Sequence, residues 1–131
     1  MAKRQKSGER EDRTRVTLFL PIHQQDDIRA FRLVIDYLAK QRQSRTCPIT
    51  GYTHSMFPHA SFFGTWWSSS KTRWVGENVA LLIVDYEKPC REPAFESALN
   101  RLKEAVHKSY KKFGRPQDIV WIIAEPVMRY Y

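Results

Sequence analysis

Residues 79–87, VALLIVDYE, are the segment that decides the fold. Positions 79 to 84 are all Val, Ala, Leu or Ile, so both alternating faces of an extended chain are aliphatic here. Strands with this pattern are buried on both faces of a sheet. We therefore predict a central strand at this position and place the other elements around it.

Two amphipathic helices are predicted, one on each side of this strand in the sequence. The first follows Asp26 and Asp27, carboxylates that favour a helix N-terminus. The second begins near Pro93 and ends at Gly114, residues typical of the first turn and of the C-terminal cap. In both, apolar side chains recur every three or four residues: Ile28, Phe31, Ile35 and Leu38 in the first, and Phe95, Leu99, Leu102, Val106 and Tyr110 in the second.

Three further strands are expected from runs of β-branched and aromatic residues. They are 15–22 (RVTLFLPI), 61–67 (SFFGTWW) and 118–127 (DIVWIIAEPV). The segment 44–60 contains Pro48, Gly51 and Pro58 and keeps no steady period, so we expect a long loop there. Residues 1–14 are mostly polar or charged and are expected to form a disordered basic tail, which leaves 15–131 as a single α+β domain.

The element order β-α-β-β-α-β predicts a ferredoxin-like plait. Right-handed crossovers would place both helices on one face of a four-stranded antiparallel sheet. This architecture serves many functions and indicates none of them.

The second face of such a sheet needs a cover. A sheet with one wetted face alternates apolar and polar residues along its strands, whereas VALLIV (79–84) and IVWIIA (119–124) are apolar on both faces. An exposed apolar face of this size exceeds what a monomer tolerates. We expect the 44–60 loop, a second copy of the chain, or both to cover it, and we favour a homodimer.

Composition restricts the class of protein and its partners. The chain has 131 residues, of which 42% are hydrophobic, and a net charge of +8, which indicates a globular protein suited to anionic partners. Two cysteines are too few for a disulfide framework, so a reducing, cytoplasmic compartment is expected. No apolar run approaches ~20 residues, and the charged N-terminus is not a secretory signal, so we expect no membrane partner.

The aromatic stretch 47–67 and the tryptophan that follows it supply a candidate ligand pocket. Large flat side chains with a few polar groups are what a small-molecule site needs. The alternative is that the same aromatics only pack a lid or a dimer core. The candidate ligand-binding residues are Tyr52, His54, His59, Trp66, Trp67 and Trp74.

Cys47, His54 and His59 have side chains that ligate transition metals. A structural zinc site uses four ligands with closely spaced pairs, and no such pair occurs here. A three-ligand catalytic site that Asp85 or Cys90 joins is the alternative. We expect no metal, and we expect no cofactor, because no glycine-rich phosphate loop is present.

Two carboxylates, Asp85 and Glu125, lie at the downstream ends of apolar strands. Desolvation there would raise the pKa of a carboxyl group toward the range that a general acid or base uses. His54 or His59 would share such chemistry. The alternative is that both carboxylates are solvated or paired with an arginine such as Arg73. Whether the protein is an enzyme stays open, and the sequence favours a protein without catalytic activity.

A basic strip on the second helix is the candidate nucleic-acid surface, with the N-terminal tail. It consists of Lys103, Lys108, Lys111, Lys112 and Arg115. A solvated helix face gives the same pattern. RNA binders of the expected fold carry aromatic residues on the open sheet face, and here that face is aliphatic.

The sequence therefore predicts a small intracellular binding protein, homodimeric, with an aromatic and histidine-lined pocket for a small molecule or a protein partner. A nucleic-acid-binding module and a small enzyme that uses His54 or His59 with Asp85 or Glu125 are the alternatives.

Overall fold

The computed structural model describes residues 10–41, 46–56, 62–117 and 120–130. Two helices and a five-stranded antiparallel sheet make an α+β fold. In chain order the elements are β1 (Arg10–Pro21), α1 (Gln25–Gln41), β2 (Ile49–His54), β3 (Phe62–Ser68), β4 (Arg73–Tyr86), α2 (Pro93–Lys112) and β5 (Trp121–Tyr130).

The sheet has the order β2-β4-β1-β5, and β3 pairs with β4 beside β2. The central pair is β1 with β4, in which Val16 lies opposite Val84 and Leu18 opposite Leu82. The 14 residues of β4 are long enough for two strands to share one of its edges. The first part of β4, 73–79, pairs with β3, and the last part, 82–86, pairs with β2.

The predicted four-stranded βαββαβ plait is therefore wrong in strand number and strand order. Its error lies in the segment 44–60, which was expected to be a loop. Residues 49–54 form a strand because an irregularity between Ile49 and Gly51 absorbs the glycine, and the Thr and Tyr residues around it favour extended backbone. Since 49–54 lie in the plane of the sheet, this part of the segment does not cover the second face.

Strand β1 also starts earlier than the sequence indicates. It begins at Arg10, so residues 10–14 belong to the sheet and not to the predicted disordered tail. Thr14 is buried, and its hydroxyl donates to the backbone carbonyl of Lys88. The predicted tail residues 1–9 lie outside the described part of the chain.

The core lies between the helices and one face of the sheet. Even-numbered side chains of β1 and β4, such as Leu18 and Leu82, pack there against side chains of the helices, such as Phe31 of α1 and Leu102 of α2. Burial of each large aliphatic side chain stabilises the fold by about 1.5–3 kcal/mol. We refer to this side as the covered face and to the opposite side as the open face.

Polar contacts fix the ends of the helices to this core. The buried carboxylate of Asp27 accepts hydrogen bonds from the backbone N–H of His23 at 2.9 Å and of Gln24 at 3.3 Å, which satisfies two donors at the start of α1. Its other oxygen lies 3.0 Å from Nε of Arg115, beyond the end of α2. The Tyr110 hydroxyl donates to the Pro21 carbonyl at 2.8 Å. These bonds hold the end of α2 against the β1–α1 connection.

Within the described ranges, neither helix combines the length and the apolar character that crossing a membrane requires.

Candidate functional site

A cavity of about 450 Å³ opens on the open face of the sheet. Phe19 of β1 and Val79 of β4 lie on the two central strands and form its base, while Trp66 of β3 and Trp121 of β5 contribute aromatic walls from either side. The remaining lining residues are Leu20, Pro21, Gly64, Thr65, Ser68, Ser70, Lys71, Val75, Glu77, Pro116, Gln117 and Val120. The site thus combines five separate segments of the chain.

Strand register brings the aromatic residues together. Trp121 lies opposite Phe19 in the β1–β5 pair, and Trp66 lies opposite Val75 in the β3–β4 hairpin. Successive side chains of a strand point to opposite faces, so Val75, Glu77 and Val79 share the face of Trp66. The cavity is therefore a product of alternation along four strands.

Six polar side chains of the described residues line the cavity: Thr65, Ser68, Ser70, Lys71, Glu77 and Gln117. Glu77 contributes a largely buried carboxylate, one oxygen of which lies 2.9 Å from Nε2 of His23 in the β1–α1 connection. The Gln117 side-chain amide donates to the backbone carbonyl of Arg115 at 3.0 Å. Lys71 is exposed in the turn between β3 and β4. Aromatic walls beside polar side chains, several of which are held by hydrogen bonds, are features of a small-molecule site.

The two candidate catalytic carboxylates lie on the open face, but at the far end of the strands from the cavity. Asp85 forms a two-pronged ion pair with Arg15, with Nε–Oδ1 at 2.8 Å and Nη2–Oδ2 at 3.1 Å. The hydrogen bond that Arg15 donates to Asp85 raises the pKa of the Arg15 guanidinium. Glu125 lies on the other side of Arg15 in the β1–β5 register and is exposed. On the sequence alone, pairing with an arginine such as Arg73 is the alternative to a catalytic role. Asp85 does pair with an arginine, but that arginine is Arg15.

Arg15, which lies between Asp85 and Glu125, is four residues along β1 from Phe19. At ~3.3 Å per residue the separation is about 13 Å. The structure therefore does not bring Asp85 and Glu125 to the cavity, nor to His54.

Tyr52 and His54 lie on the covered face of β2, opposite Val84 and Leu82 of β4. Their rings stack with centroids 6.4 Å apart, and the His54 ring meets the Phe31 ring of α1 edge-on at 6.1 Å. Nδ1 of His54 is 3.0 Å from the carbonyl oxygen of Ser55. These contacts pack β2 against α1. The third candidate of this group, His59, lies outside the described residues.

The three tryptophans of the β3–β4 hairpin divide between its two faces. Trp66 lines the cavity, whereas Trp67 and Trp74 face the other way and contact each other edge to face, with centroids 5.7 Å apart. Both of the latter are more than half exposed. Of the six candidate ligand-binding residues, the structure places one at the cavity and four elsewhere, and His59 is not described.

The candidate metal ligands are not assembled in the part of the chain that is described. Cys47 is buried in the core cluster, and burial raises the pKa of its thiol. Among residues 10–41, 46–56, 62–117 and 120–130, no group of three His, Cys, Asp or Glu side chains is close enough to hold an ion.

Two cations of the candidate nucleic-acid strip are held in ion pairs. Lys108 lies 2.9 Å from Glu104, one turn earlier on α2, and its hydrogen bond lowers the pKa of the Glu104 carboxyl. Arg115 pairs with the fully buried Asp27 at 3.0 Å. The remaining members, Lys103, Lys111 and Lys112, are exposed on α2. The strip thus presents a smaller uncompensated charge than its sequence indicates.

Sequence reasoning missed most of the cavity. Phe19, Glu77 and Trp121 were not singled out, although each carries a signal. Trp121 is the one aromatic residue of an otherwise aliphatic stretch, 119–124, and Glu77 is an acidic residue inside the strand-like run WVGENVA, 74–80. A residue whose side chain differs in chemical type from the rest of its strand indicates a different local environment at that position. Here both residues line the cavity.

No protein-family model and no curated protein sequence matches the chain. Among solved structures, it is similar to a phage SAM lyase in complex with S-methyl-5′-thioadenosine, with a TM-score of 0.51 and 11% identity over 100% of this chain and 96% of the lyase. A putative amidohydrolase/peptidase from Burkholderia cenocepacia gives a TM-score of 0.44 and 11% identity over 95% of this chain and 29% of that one. The B. subtilis GlnK–ATP complex gives a TM-score of 0.39 and 12% identity over 94% of this chain and 85% of GlnK. The likeness to the lyase is one of fold alone.

Proposed function

We propose that the protein binds a small molecule in the cavity between the β3–β4 hairpin and the β1–β5 edge of the sheet. The observation that carries this proposal is the convergence of Trp66, Trp121 and Phe19, from three strands, around a space of about 450 Å³ that also contains the Glu77 carboxylate. The volume is within the range of roughly 300–1,000 Å³ found for ligand sites.

The exposure of Trp121 supports the same proposal. Half of its surface, 53%, is accessible to solvent, although the apolar Phe19 lies opposite it in the sheet. A flat apolar ligand placed between Trp121 and Trp66 would remove part of this surface from water, and aromatic stacking would fix its orientation. Because Asp85 and Glu125 are remote from the cavity, the proposal is one of binding and gives these two residues no part in it.

We also propose that a second copy of the chain packs on the open face, so that the protein is a homodimer. Beyond the cavity this face carries Leu81, Ile83 and Ile123, the last of them 48% exposed, and both helices pack on the opposite side. Burial of such a face against its own copy would remove a large apolar patch from water. Light scattering at micromolar concentration should give twice 15.5 kDa, and a mass near 15.5 kDa would contradict the dimer.

The ligand proposal is tested with the neighbouring tryptophans Trp66 and Trp67, which point to opposite faces of the hairpin. The probes are adenosine, nicotinamide and S-methyl-5′-thioadenosine at millimolar concentration. The last is included because a protein of similar fold is solved with it, not because the likeness indicates the ligand. Binding is read from the indole N–H resonances of the four tryptophans, assigned with single Trp→Phe variants.

We expect at least one probe to shift the resonances of Trp66 and Trp121 together. Trp66→Ala should abolish the shift of Trp121, and the matched control Trp67→Ala should preserve it. The proposal is contradicted if none of the probes shifts these two resonances, or if the two alanine variants lose binding equally.

A further inference from the structure

The charges around the cavity are distributed unevenly. Among its described lining residues, Glu77 supplies the one carboxylate and Lys71 the one amine. Glu77 projects from the middle of β4 with a side chain 21% exposed, whereas Lys71 is solvent-exposed in the hairpin turn. The wall therefore carries negative charge, and the positive charge lies on a long side chain that extends into water.

Glu77 keeps the capacity to bind a second partner. Nε2 of His23 contacts one of its oxygens, Oε2, at 2.9 Å. A carboxylate accepts about four hydrogen bonds through two oxygens. A ligand group that donates hydrogen bonds or carries positive charge can thus be accommodated without breaking the contact with His23.

The aromatic walls favour the same sign of charge. The faces of Trp66, Trp121 and Phe19 carry the negative end of a ring quadrupole, and tryptophan attracts cations most strongly of all the aromatic side chains. An anionic ligand would meet Glu77 at close range after losing its water, which is unfavourable. The net charge of +8 acts against cations only over long distances, and it is screened beyond ~8 Å at physiological ionic strength.

We infer that the ligand of this cavity is a planar organic cation, such as a pyridinium ring or an aromatic ring with a methylated ammonium group, and that Glu77 supplies its countercharge. The inference rests on the proposed function, because it names the chemical class of the molecule that the cavity binds. The ring lies against Trp66 and Trp121, and the positive charge lies near Glu77.

Three compounds built on one ring test the sign of the charge: 1-methylnicotinamide is a cation, nicotinamide is neutral and nicotinate is an anion. Their dissociation constants are measured on the full chain at pH 8 by titration of the Trp66 and Trp121 indole resonances. We expect 1-methylnicotinamide to bind about tenfold more tightly than nicotinamide, and nicotinate to bind most weakly.

Glu77→Gln separates charge from shape, because the amide keeps the size of the side chain and can still accept a hydrogen bond from His23. This variant should bring the affinities for 1-methylnicotinamide and nicotinamide to within about twofold of each other. The change should come from weaker binding of 1-methylnicotinamide, while the affinity for nicotinamide stays the same. The matched control is Glu87→Gln, which removes the same charge from an exposed position after β4 and should preserve the tenfold preference. Circular dichroism and thermal melting confirm that both variants fold.

Failure of the inference and failure of the proposed function give different results. If all three compounds bind with equal affinity, or if Glu77→Gln leaves the tenfold preference in place, the cavity binds ligands and the cationic class is overturned. If none of the three shifts the two indole resonances while adenosine or S-methyl-5′-thioadenosine does, the cavity binds ligands and the cationic class is likewise overturned. If adenosine and S-methyl-5′-thioadenosine fail as well, the proposed function falls and this inference falls with it.

Discussion

The covered and open faces of the sheet are built from the same strands and from similar side chains, yet they differ in what packs on them. On β1, Leu18 and Leu20 are fully buried, while Phe19 between them is only half-buried. On β5, Ile122 packs against the core and its neighbour Ile123 is 48% exposed. The difference arises because both helices pack on one side. The packing of the helices, and not the hydrophobicity of the strands, therefore determines which face forms the core and which stays exposed.

Adjacent residues of β1 test the difference between the two faces most directly. Leu18→Ala leaves a cavity between the sheet and the helices and should lower the free energy of unfolding by about 3 kcal/mol. Phe19→Ala removes a larger side chain from the open face and should cost about 1 kcal/mol, because Phe19 is partly solvated already. Urea denaturation followed by far-ultraviolet circular dichroism measures both values.

Ligand titration provides the complementary measurement on the same pair. Phe19→Ala should weaken probe binding at the cavity, and Leu18→Ala should leave it unchanged wherever the variant is folded. If Leu18→Ala and Phe19→Ala lose equal stability with unchanged urea m-values, the open face is buried to the same extent as the covered face.

Alkaline pH tests the covered face through its tyrosines. Burial raises the pKa of Tyr86 and of Tyr110 above the ordinary value of about 10. In the unfolded chain these phenols ionise at about pH 10, whereas in the folded chain they stay protonated, so the unfolded state binds fewer protons above that pH. Stability is therefore complete below pH 10 and falls above it, by about 1.4 kcal/mol per pH unit for each buried tyrosine.

Tyr110→Phe provides the comparison for this prediction. At neutral pH it should cost about 1 kcal/mol, because the hydrogen bond from the hydroxyl to the Pro21 carbonyl is lost. Above pH 10 its stability should fall less steeply than that of the wild type. If the variant and the wild type show one slope between pH 10 and 11, Tyr110 is not protected from ionisation.

The two helices and the central strand follow from the sequence, whereas the edge of the sheet does not. Apolar spacing predicts α1 and α2 because one face of each helix must meet the core. Residues 49–54 were interpreted as loop because Pro48 and Gly51 interrupt every period, and sequence spacing does not indicate that β4 is long enough to pair with two strands. Pairing of this kind depends on backbone partners, not on side-chain pattern.

The candidate site was predictable only in part, for a similar reason. Trp66 was identified from the concentration of aromatics around it, but the same concentration also pointed to Trp67 and to His54, which lie on other surfaces. The alternation of side chains along a strand shows that neighbouring residues lie on opposite faces of the sheet. It does not show which of the two faces carries a cavity. Trp121 is 55 residues from Trp66 in the sequence, and only the register of β5 on β1 brings them to one site.

A double-mutant cycle on Arg15 and Asp85 tests whether the charged end of the open face is exposed to solvent. The pair has good two-pronged geometry, but the Arg15 side chain is 38% exposed, so water and salt screen the attraction. The coupling energy between Arg15→Met and Asp85→Asn should be about 1 kcal/mol and should decrease in 0.5 M NaCl. A coupling of roughly 3 kcal/mol or more, insensitive to salt, would mean that this end of the face is buried in solution, as a second copy of the chain would make it.

The smallest effect is expected at the tip of the β3–β4 hairpin, which walls the cavity. Thr72 has a φ of 50°, a left-handed conformation that is unfavourable for a β-branched residue. Thr72→Gly should relieve this strain and stabilise the protein by about 0.5 kcal/mol, since part of the gain is lost to the greater freedom of glycine in the unfolded chain. Gly114, with a φ of 69° at the end of α2, is the matched position, and Gly114→Ala should destabilise by about 1 kcal/mol. Opposite signs in thermal melting would show that both turns hold their left-handed backbone in solution. Loss of stability in Thr72→Gly would instead show that the threonine side chain contributes more to the hairpin than its backbone conformation costs.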